Sequence, residues 1–433
     1  MDWDKHCYRV GSHTATCLDL PDPATDEFHK FVDGARKRIE PWLSAVFQAE
    51  HLNLLIGSGF TFAVGDLAGS TATGMGKIKF GTKYDDAIDT HADNSAKNMG
   101  RGSANIEDQF RSALAVLEGL NVISAAKAND LKKAMDIQLK SFLDSLLTTE
   151  CGISKEKDED NRRKAENALQ SFLLSFASRA ASRERLHVFT SNYDRLVEHG
   201  CDLAGLRIID RFVGALNPIF RSSRVEVDVH YNPPGIRGEP RFMEGVIRLT
   251  KLHGSLDWRF DKESRQITRS GIPFGASPDH TDMPRMPIDT VMIYPNPAKD
   301  VETTQYPYAE LFRDLAASIC RPNAVVVTYG YGFGDDHINR VLLDMLTIPS
   351  THMVIITYDA DSRVKSFCEK TRDAQISLLI GSHFADLSNL VEHYLPKPAL
   401  DYITGRMTEL MKNRPPSIPP VDSSAVPPAA CPV

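Results

Sequence analysis

The sequence predicts an α/β protein with a doubly wound, mainly parallel sheet and an inserted helical subdomain. Three observations predict it. Short apolar runs recur, and each breaks abruptly into a turn rich in Gly, Asn, His or Asp; a helical pattern follows several of these turns; and a long stretch between the first two such units carries helical periodicity alone.

Taken in order, residues 24–50 read as helix interrupted at Pro41, because Phe28, Phe31, Ile39, Leu43 and Phe47 fall near helical spacing and proline has no N–H to give. HLNLLIGSGFTFAVG then reads as a buried strand passing into the Gly57-Ser58-Gly59 turn. Residues 65–102, rich in Gly, Asp, Thr, Ser and Lys, read as a long loop. Asn105 fits the N-cap of a helix bearing Ile106, Phe110, Leu114 and Leu117 on one face. Leu131, Met135, Leu139, Phe142 and Leu146 mark a second helix, and Leu169, Phe172 and Phe176 a third.

Sheet signals return at LHVFTSNYDRLVEHG and VIRLTKLHGSLDWRF, and again at AVVVTYGYGFGDDHINRVLLDML and MVIITYDADSRVKSFCEK. The expected division is an N-terminal helical segment over 1–50, an α/β unit over 51–400 with a helical insertion at about 62–185, and a C-terminal segment over 401–433. From Asn413 onward the prolines of that segment oppose regular structure, so this tail is expected to be disordered or a partner-binding strip.

The bulk numbers fit this reading. A chain of 433 residues, 42% hydrophobic and 25% charged, has the composition of a folded globular protein. A net charge of −7 gives no overall basic footprint for nucleic acid, although a local basic face stays open. No apolar run is long enough to span a bilayer, and MDWDKHCYRV lacks the apolar core of a signal peptide; a cytoplasmic protein is expected. Seven scattered cysteines without a CxxC pair read as reduced thiols and argue against a Cys₄ zinc ribbon.

Ligands of open α/β sheets bind outside the carboxyl ends of the strands, so the polar turns after the strands are the candidate site. Gly57, Ser58, Gly59, Phe60 and Thr61 suit a pyrophosphate: glycine admits close backbone approach, and the following helix presents unpaired N–H groups. Phe62 stands where the third glycine of GxGxxG would be, so an unrelated glycine turn fits as well. Asn192 and Asp194 could bond sugar hydroxyls or orient a water; equally, they could form an Asx turn and helix cap with Asp194 paired to Arg195. An unperturbed imidazole changes protonation near neutral pH, so His253 is the candidate base, with a structural histidine as the alternative. In the late turn Gly330-Tyr331-Gly332-Phe333-Gly334-Asp335, the neighbouring His337 and Asn339 could hold a ribose or order the loop.

The succession GSGFT, TSNYD, KLHGS and YGYGFGDDHIN resembles that of the sirtuin family, whose fold is Rossmann-like: a glycine-rich dinucleotide turn, an Asn-x-Asp turn, a catalytic His-Gly and a late glycine-rich turn. The SNYD, LHGS and GFGDDHIN spellings are most similar to prokaryotic sirtuin-like proteins of antiphage defence, the HerA-associated type above all. By resemblance, Gly57 to Thr61 line an NAD⁺ pocket, Asn192 and Asp194 approach the nicotinamide ribose, and His253 is the catalytic base. Gly330, Tyr331, Gly332, Phe333, Gly334 and Asp335, with Asp359, face the adenosine half. The resemblance implies an NAD⁺ glycohydrolase releasing nicotinamide and ADP-ribose, a homo-oligomer, and a HerA-like ATPase/translocase partner. The missing Cys pairs depart from the deacetylases, so neither structural zinc nor a metal ligand is expected. A deacylase and a non-catalytic NAD⁺ or ADP-ribose sensor are the competing expectations.

Overall fold

The computed structural model describes residues 2–398 apart from 73, 99–101, 181, 223–227, 232–240, 262, 285–286, 288–290 and 294–306. The chain opens with strands β1 (His6–Arg9) and β2 (Thr16–Leu18), helix α1 (Asp26–Phe47), β3 (His51–Ile56) and α2 (Ser58–Leu67). Four helices follow: α3 (Asp85–Asn98), α4 (Ile106–Ile123), α5 (Ala125–Ser154) and α6 (Glu159–Ala177). Next come β4 (His187–Thr190), α7 (Leu196–Leu203) and β5 (Arg207–Ile209), then the short strands β6 (Phe212–Val213), β7 (Ile219–Phe220), β8 (His230–Tyr231) and β9 (Arg241–Phe242). The chain continues through β10 (Val246–Lys251), β11 (Gly254–Asp261), β12 (Gln266–Arg269), β13 (Val291–Ile293) and α8 (Tyr308–Ile319). It closes with β14 (Ala324–Tyr329), α9 (Asp336–Met345), β15 (His352–Thr357), α10 (Ser362–Glu369) and β16 (Ile376–Ile380).

A 9-stranded sheet in the order β2-β1-β16-β15-β14-β3-β4-β10-β5 organises the molecule. From β16 to β5 every pairing is parallel. The chain builds β4, β10 and β5 on one side of β3, then returns to its other side with β14, so β3 and β14 flank the switch point where such sheets open a crevice. Both faces of the sheet are covered, which explains the near-continuous apolar strands. Along β3, Leu52, Leu54 and Ile56 enter one core with α1, α2 and α6, while Leu55 enters the opposite core with α8 and α9. Asn53, the polar residue within that run, is satisfied by the Val325 carbonyl at 3.2 Å and by the Ser318 hydroxyl, which donates to Oδ1 at 2.6 Å.

Four features differ from the expectations. Pro41 lies inside α1, which continues from Asp26 to Phe47, because Val32, Ala35, Ile39, Leu43 and Phe47 bury one stripe against the sheet and outweigh the missing hydrogen bond. Residues 85–98, read as loop, form α3; Asp85 accepts from the Gly81 and Thr82 amides at the helix start, and only Ile88, Ala92 and Ala96 are buried, too small a stripe to show as a period. A second antiparallel sheet, β13-β11-β12-β7-β6, went unread because most of its strands are very short. Finally, Cys7 and Cys17 form a disulfide: the β1–β2 register sets them directly opposite each other, which their spacing alone does not reveal.

Helix α4 starts as read, with Asn105 and Asp108 in a reciprocal capping box. Helices α3 to α5 gather around Ile88, Phe110, Leu131, Met135 and Leu143, and that cluster extends to Tyr193 and Leu256 at the sheet's carboxyl edge. Among the described residues no helix is long and apolar enough to cross a membrane. The expected C-terminal segment 401–433 lies outside the described residues.

Candidate functional site

The turns after β3 and β14 interlock backbone on backbone. The Gly57 amide donates to the Tyr329 carbonyl at 3.1 Å, and the Gly59 amide to the Gly330 carbonyl at 3.0 Å. A Cβ at Gly57 would come within 2.5 Å of the Gly330 oxygen, and one at Gly330, whose φ is +62°, within 2.6 Å of the Phe60 nitrogen. These glycines are therefore required by each other. Phe60 and Phe333 turn away from the crevice: Phe60 packs on Phe172 and Tyr329, and Phe333 on Tyr331 and Phe367.

A cleft of about 600 Å³ opens over this junction. Of the residues singled out from the sequence, Gly57, Ser58, Thr61, Asn192, Asp194, His253, Tyr331, Gly332, Gly334 and Asp335 line it. Gly59, Phe60, Gly330 and Phe333 support it from behind. Asp359 is exposed and outside the lining; two residues on, Asp361, Ser362 and Arg363 take that wall. Asp361 caps α10 through the amides of Arg363 and Val364 and also accepts from the Arg363 side chain at 2.7 Å.

Asn192, Asp194 and Thr61 form one bonded group. The Asn192 side-chain amide donates to the Gly57 carbonyl at 3.0 Å and to the Thr61 hydroxyl at 3.1 Å, and that hydroxyl donates to Asp194 Oδ2 at 2.7 Å. Both amide hydrogens of Asn192 are thus committed, and its carbonyl oxygen is the atom left to serve a ligand. The other Asp194 oxygen accepts from the Leu196 amide at 3.1 Å, closing an Asx turn at the start of α7. Arg195 does not pair with Asp194. It is buried with Glu150 of α5, which accepts from its main-chain amide at 2.8 Å and its Nε at 3.2 Å. Burial opposes the Arg195 charge, but Glu150 more than offsets it and holds the guanidinium above its ordinary pKa.

His253 sits between β10 and β11, followed by Gly254 at φ +85°. Its ring is 6% exposed, and its Nε2 lies 3.0 Å from Nε2 of His337 in the first turn of α9. Phe312 packs against the far imidazole at 4.9 Å. Asp335, the N-cap residue of α9, completes a group whose His253, Asp335 and His337 ligand atoms all lie within 4.8 Å of one another. Asn339 orders the loop: Tyr331 donates to it at 3.0 Å, and it donates to the Phe333 carbonyl at 3.0 Å.

Sequence reasoning missed the cleft's helical wall. Glu107 of α4 accepts from the Tyr193 hydroxyl at 2.7 Å, and Met75, Gly76, Asn105, Leu146 and Thr149 join the lining. Burial first, and Glu107 second, push the Tyr193 phenol well above its ordinary pKa, so it stays a neutral donor. The available signal was SNYD itself, where Tyr193 stands between the two residues that were singled out.

What this cleft offers is a helix N-terminus without side-chain caps at Gly57, a carboxamide oxygen, a carboxylate and an imidazole on adjacent walls. That combination can bind a phosphate-bearing sugar and move a proton beside it. No curated protein matches the chain. Residues 186–378, which carry the Asn192, His253 and Gly330 turns, match the family model of the SIR2-like domain, and this match supports placing the chain with the sirtuin-like proteins.

Proposed function

We propose that this chain binds NAD⁺ across the β3–β14 switch point and hydrolyses its nicotinamide–ribose bond. The observation that carries the reading is that Asn192, Asp194 and His253 share one cleft with the Gly57 turn, inside or beside a region matching a domain whose members use NAD⁺ as substrate. In the proposed complex the pyrophosphate rests at the start of α2, where the helix dipole favours negative charge and glycine lets the backbone approach closely. The nicotinamide ribose lies between Asn192 and His253.

Nicotinamide leaves as a neutral base, so the C1′–N bond stretches toward an oxocarbenium-like state with no acid required. Water attacks C1′. The Asn192 carbonyl oxygen orients that water or a ribose hydroxyl, and His253 takes the proton; NAD⁺ and water become nicotinamide, ADP-ribose and one proton. The Thr61–Asp194 bond holds Asn192 in place.

The similarity of the SNYD, LHGS and GFGDDHIN turns to antiphage-defence proteins extends the proposal: the chain works as a homo-oligomer controlled by a HerA-like ATPase, which would restrain an activity harmful to its own cell. Incubating the full chain with NAD⁺, alone and with a co-expressed genomic neighbour, and resolving the products chromatographically tests both parts. Nicotinamide and ADP-ribose in equal amounts are expected. O-acyl-ADP-ribose formed with an acylated peptide would favour a deacylase, and binding without nicotinamide release in any assembly would reject hydrolysis.

A further inference from the structure

The His253–His337 contact is not explained by NAD⁺ cleavage. Two imidazole nitrogens 3.0 Å apart cannot both carry a proton or both be bare; one donates to the other. A divalent ion can replace that proton. Nitrogen ligands about 2.0–2.1 Å from a zinc ion stand roughly 3.0–3.5 Å apart, which the observed spacing already meets. Asp335, from the loop that leads into α9, brings a carboxylate oxygen within 4.8 Å of a ring nitrogen of each histidine.

We propose that His253, Asp335 and His337 form a three-ligand site for a divalent transition metal of the zinc class, and that its occupancy suspends NAD⁺ cleavage. The second part rests on the reading of His253 as base. Two imidazoles and one carboxylate are the donor set of a borderline ion such as zinc, and three protein ligands leave a fourth position open. That position faces the cleft, because His253 and Asp335 both line it. Rigid supports hold the group: Asp335 and His337 flank the start of one helix, and the Phe312 ring packs at a tilt against His337. Binding is an exchange in which the ion takes both Nε2 atoms, the proton between them moves to Nδ1 of the ring that carried it so that each ring keeps one N–H, and His253 has no lone pair left to accept a proton from water.

The test uses the full chain freed of metal with a chelator. Zinc is titrated against a chromophoric competitor, and cobalt(II) is added separately while visible absorption is followed. One equivalent of zinc per chain, and cobalt bands that zinc abolishes, are expected for the wild type. His337→Ala and Asp335→Asn should each weaken zinc binding at least tenfold. Each protein's zinc inhibition curve, normalised to its own metal-free rate of nicotinamide release, should shift by a similar factor.

Absence of stoichiometric uptake by the wild type, or uptake undiminished in both variants, would overturn the site, and the cobalt spectrum decides even if a variant misfolds. Zinc-bound protein that cleaves NAD⁺ at the metal-free rate or faster would overturn the suspension. Metal-free protein that binds zinc as expected yet never releases nicotinamide would instead sink the hydrolase reading while leaving the metal site standing.

Discussion

Two buried histidines at opposite regions of the sheet show how surroundings decide what the same side chain can do. His253 lies at the carboxyl end of β10, faces a cleft and touches another imidazole. His383, just after β16, is shut among Phe28, Phe31, Phe384 and Tyr394. Its Nε2 meets the Tyr394 hydroxyl at 2.8 Å, and its Nδ1 accepts from the Asn389 side chain at 3.2 Å. With a donor already aimed at Nδ1, His383 has no room for a second proton, and burial, aided by His393 and His6, brings its pKa down to about 4. In the proposed reaction the first ring exchanges a proton with a ligand, whereas the second is held neutral to pack.

The largest effect that sharpens this contrast is catalytic. His253→Ala should lower nicotinamide release by about 10²–10⁴-fold, the usual worth of a positioned general base. Circular dichroism would confirm that the variant is folded. Unchanged turnover by the purified, assembled protein would erase the distinction between the two histidines.

Next comes the anchor that ties the helical wall to the site. Among the described residues, Glu150→Ala leaves the buried Arg195 guanidinium hydrogen-bonded to the Ile272 and Pro273 carbonyls without its paired carboxylate, and should cost about 3–5 kcal/mol in urea unfolding. Glu150→Gln, which keeps an acceptor, should recover part of that loss. A loss below about 1 kcal/mol would mean that α5 and the Asn192 turn are not coupled through this pair.

His383 supplies a smaller effect with a defined pH window. Its folded pKa lies below the ordinary 6.5, so on acidification the unfolded chain takes up a proton that the native chain refuses. Stability from this residue is present above pH 6.5, falls as pH drops toward 4, and amounts to about 3 kcal/mol at most. His383→Gln should flatten the pH dependence of the urea midpoint between 6.5 and 4 and leave nicotinamide release at pH 7.5 unchanged. Parallel pH curves for the two proteins would contradict this account.

How much of this could be read in advance varies with the physics involved. The crevice was legible because each parallel strand, covered on both faces, is an unbroken apolar run, and the polar residues that end it must be the turn. Asn192, Asp194 and His253 are candidates on that ground, and the order of the turns and its resemblance to the sirtuin family set them above the Asx-turn and structural-histidine readings. Side-chain direction within a turn has no period, so Phe60 and Phe333 read as lining although both belong to the core, and Asp359 was named where Asp361 reaches the wall. The Glu107–Tyr193 bond joins residues 86 positions apart across two layers, and no local pattern encodes it. The same holds for the Cys7–Cys17 bridge, which exists only once the β1–β2 register is set.

The finest test concerns the link between the legible and the illegible parts. Thr61 was read as a pocket residue, yet its hydroxyl also mediates between Asn192 and Asp194, accepting from one and donating to the other. Thr61→Val keeps the shape and removes both bonds, leaving a buried amide hydrogen and a buried carboxylate oxygen unpaired. Such orphaned groups cost about 1–3 kcal/mol each when nothing replaces the bond, and water from the cleft can relieve part of that here. Stability should therefore fall by about 1 kcal/mol, and kcat by about tenfold, as Asn192 loses the contact that sets its carbonyl oxygen toward the ribose. Thr61→Ser keeps the hydroxyl and should restore most of both. If Thr61→Val raised KM alone with kcat intact, Thr61 would be a binding contact only, and the orientation of Asn192 would have to come from Gly57 by itself.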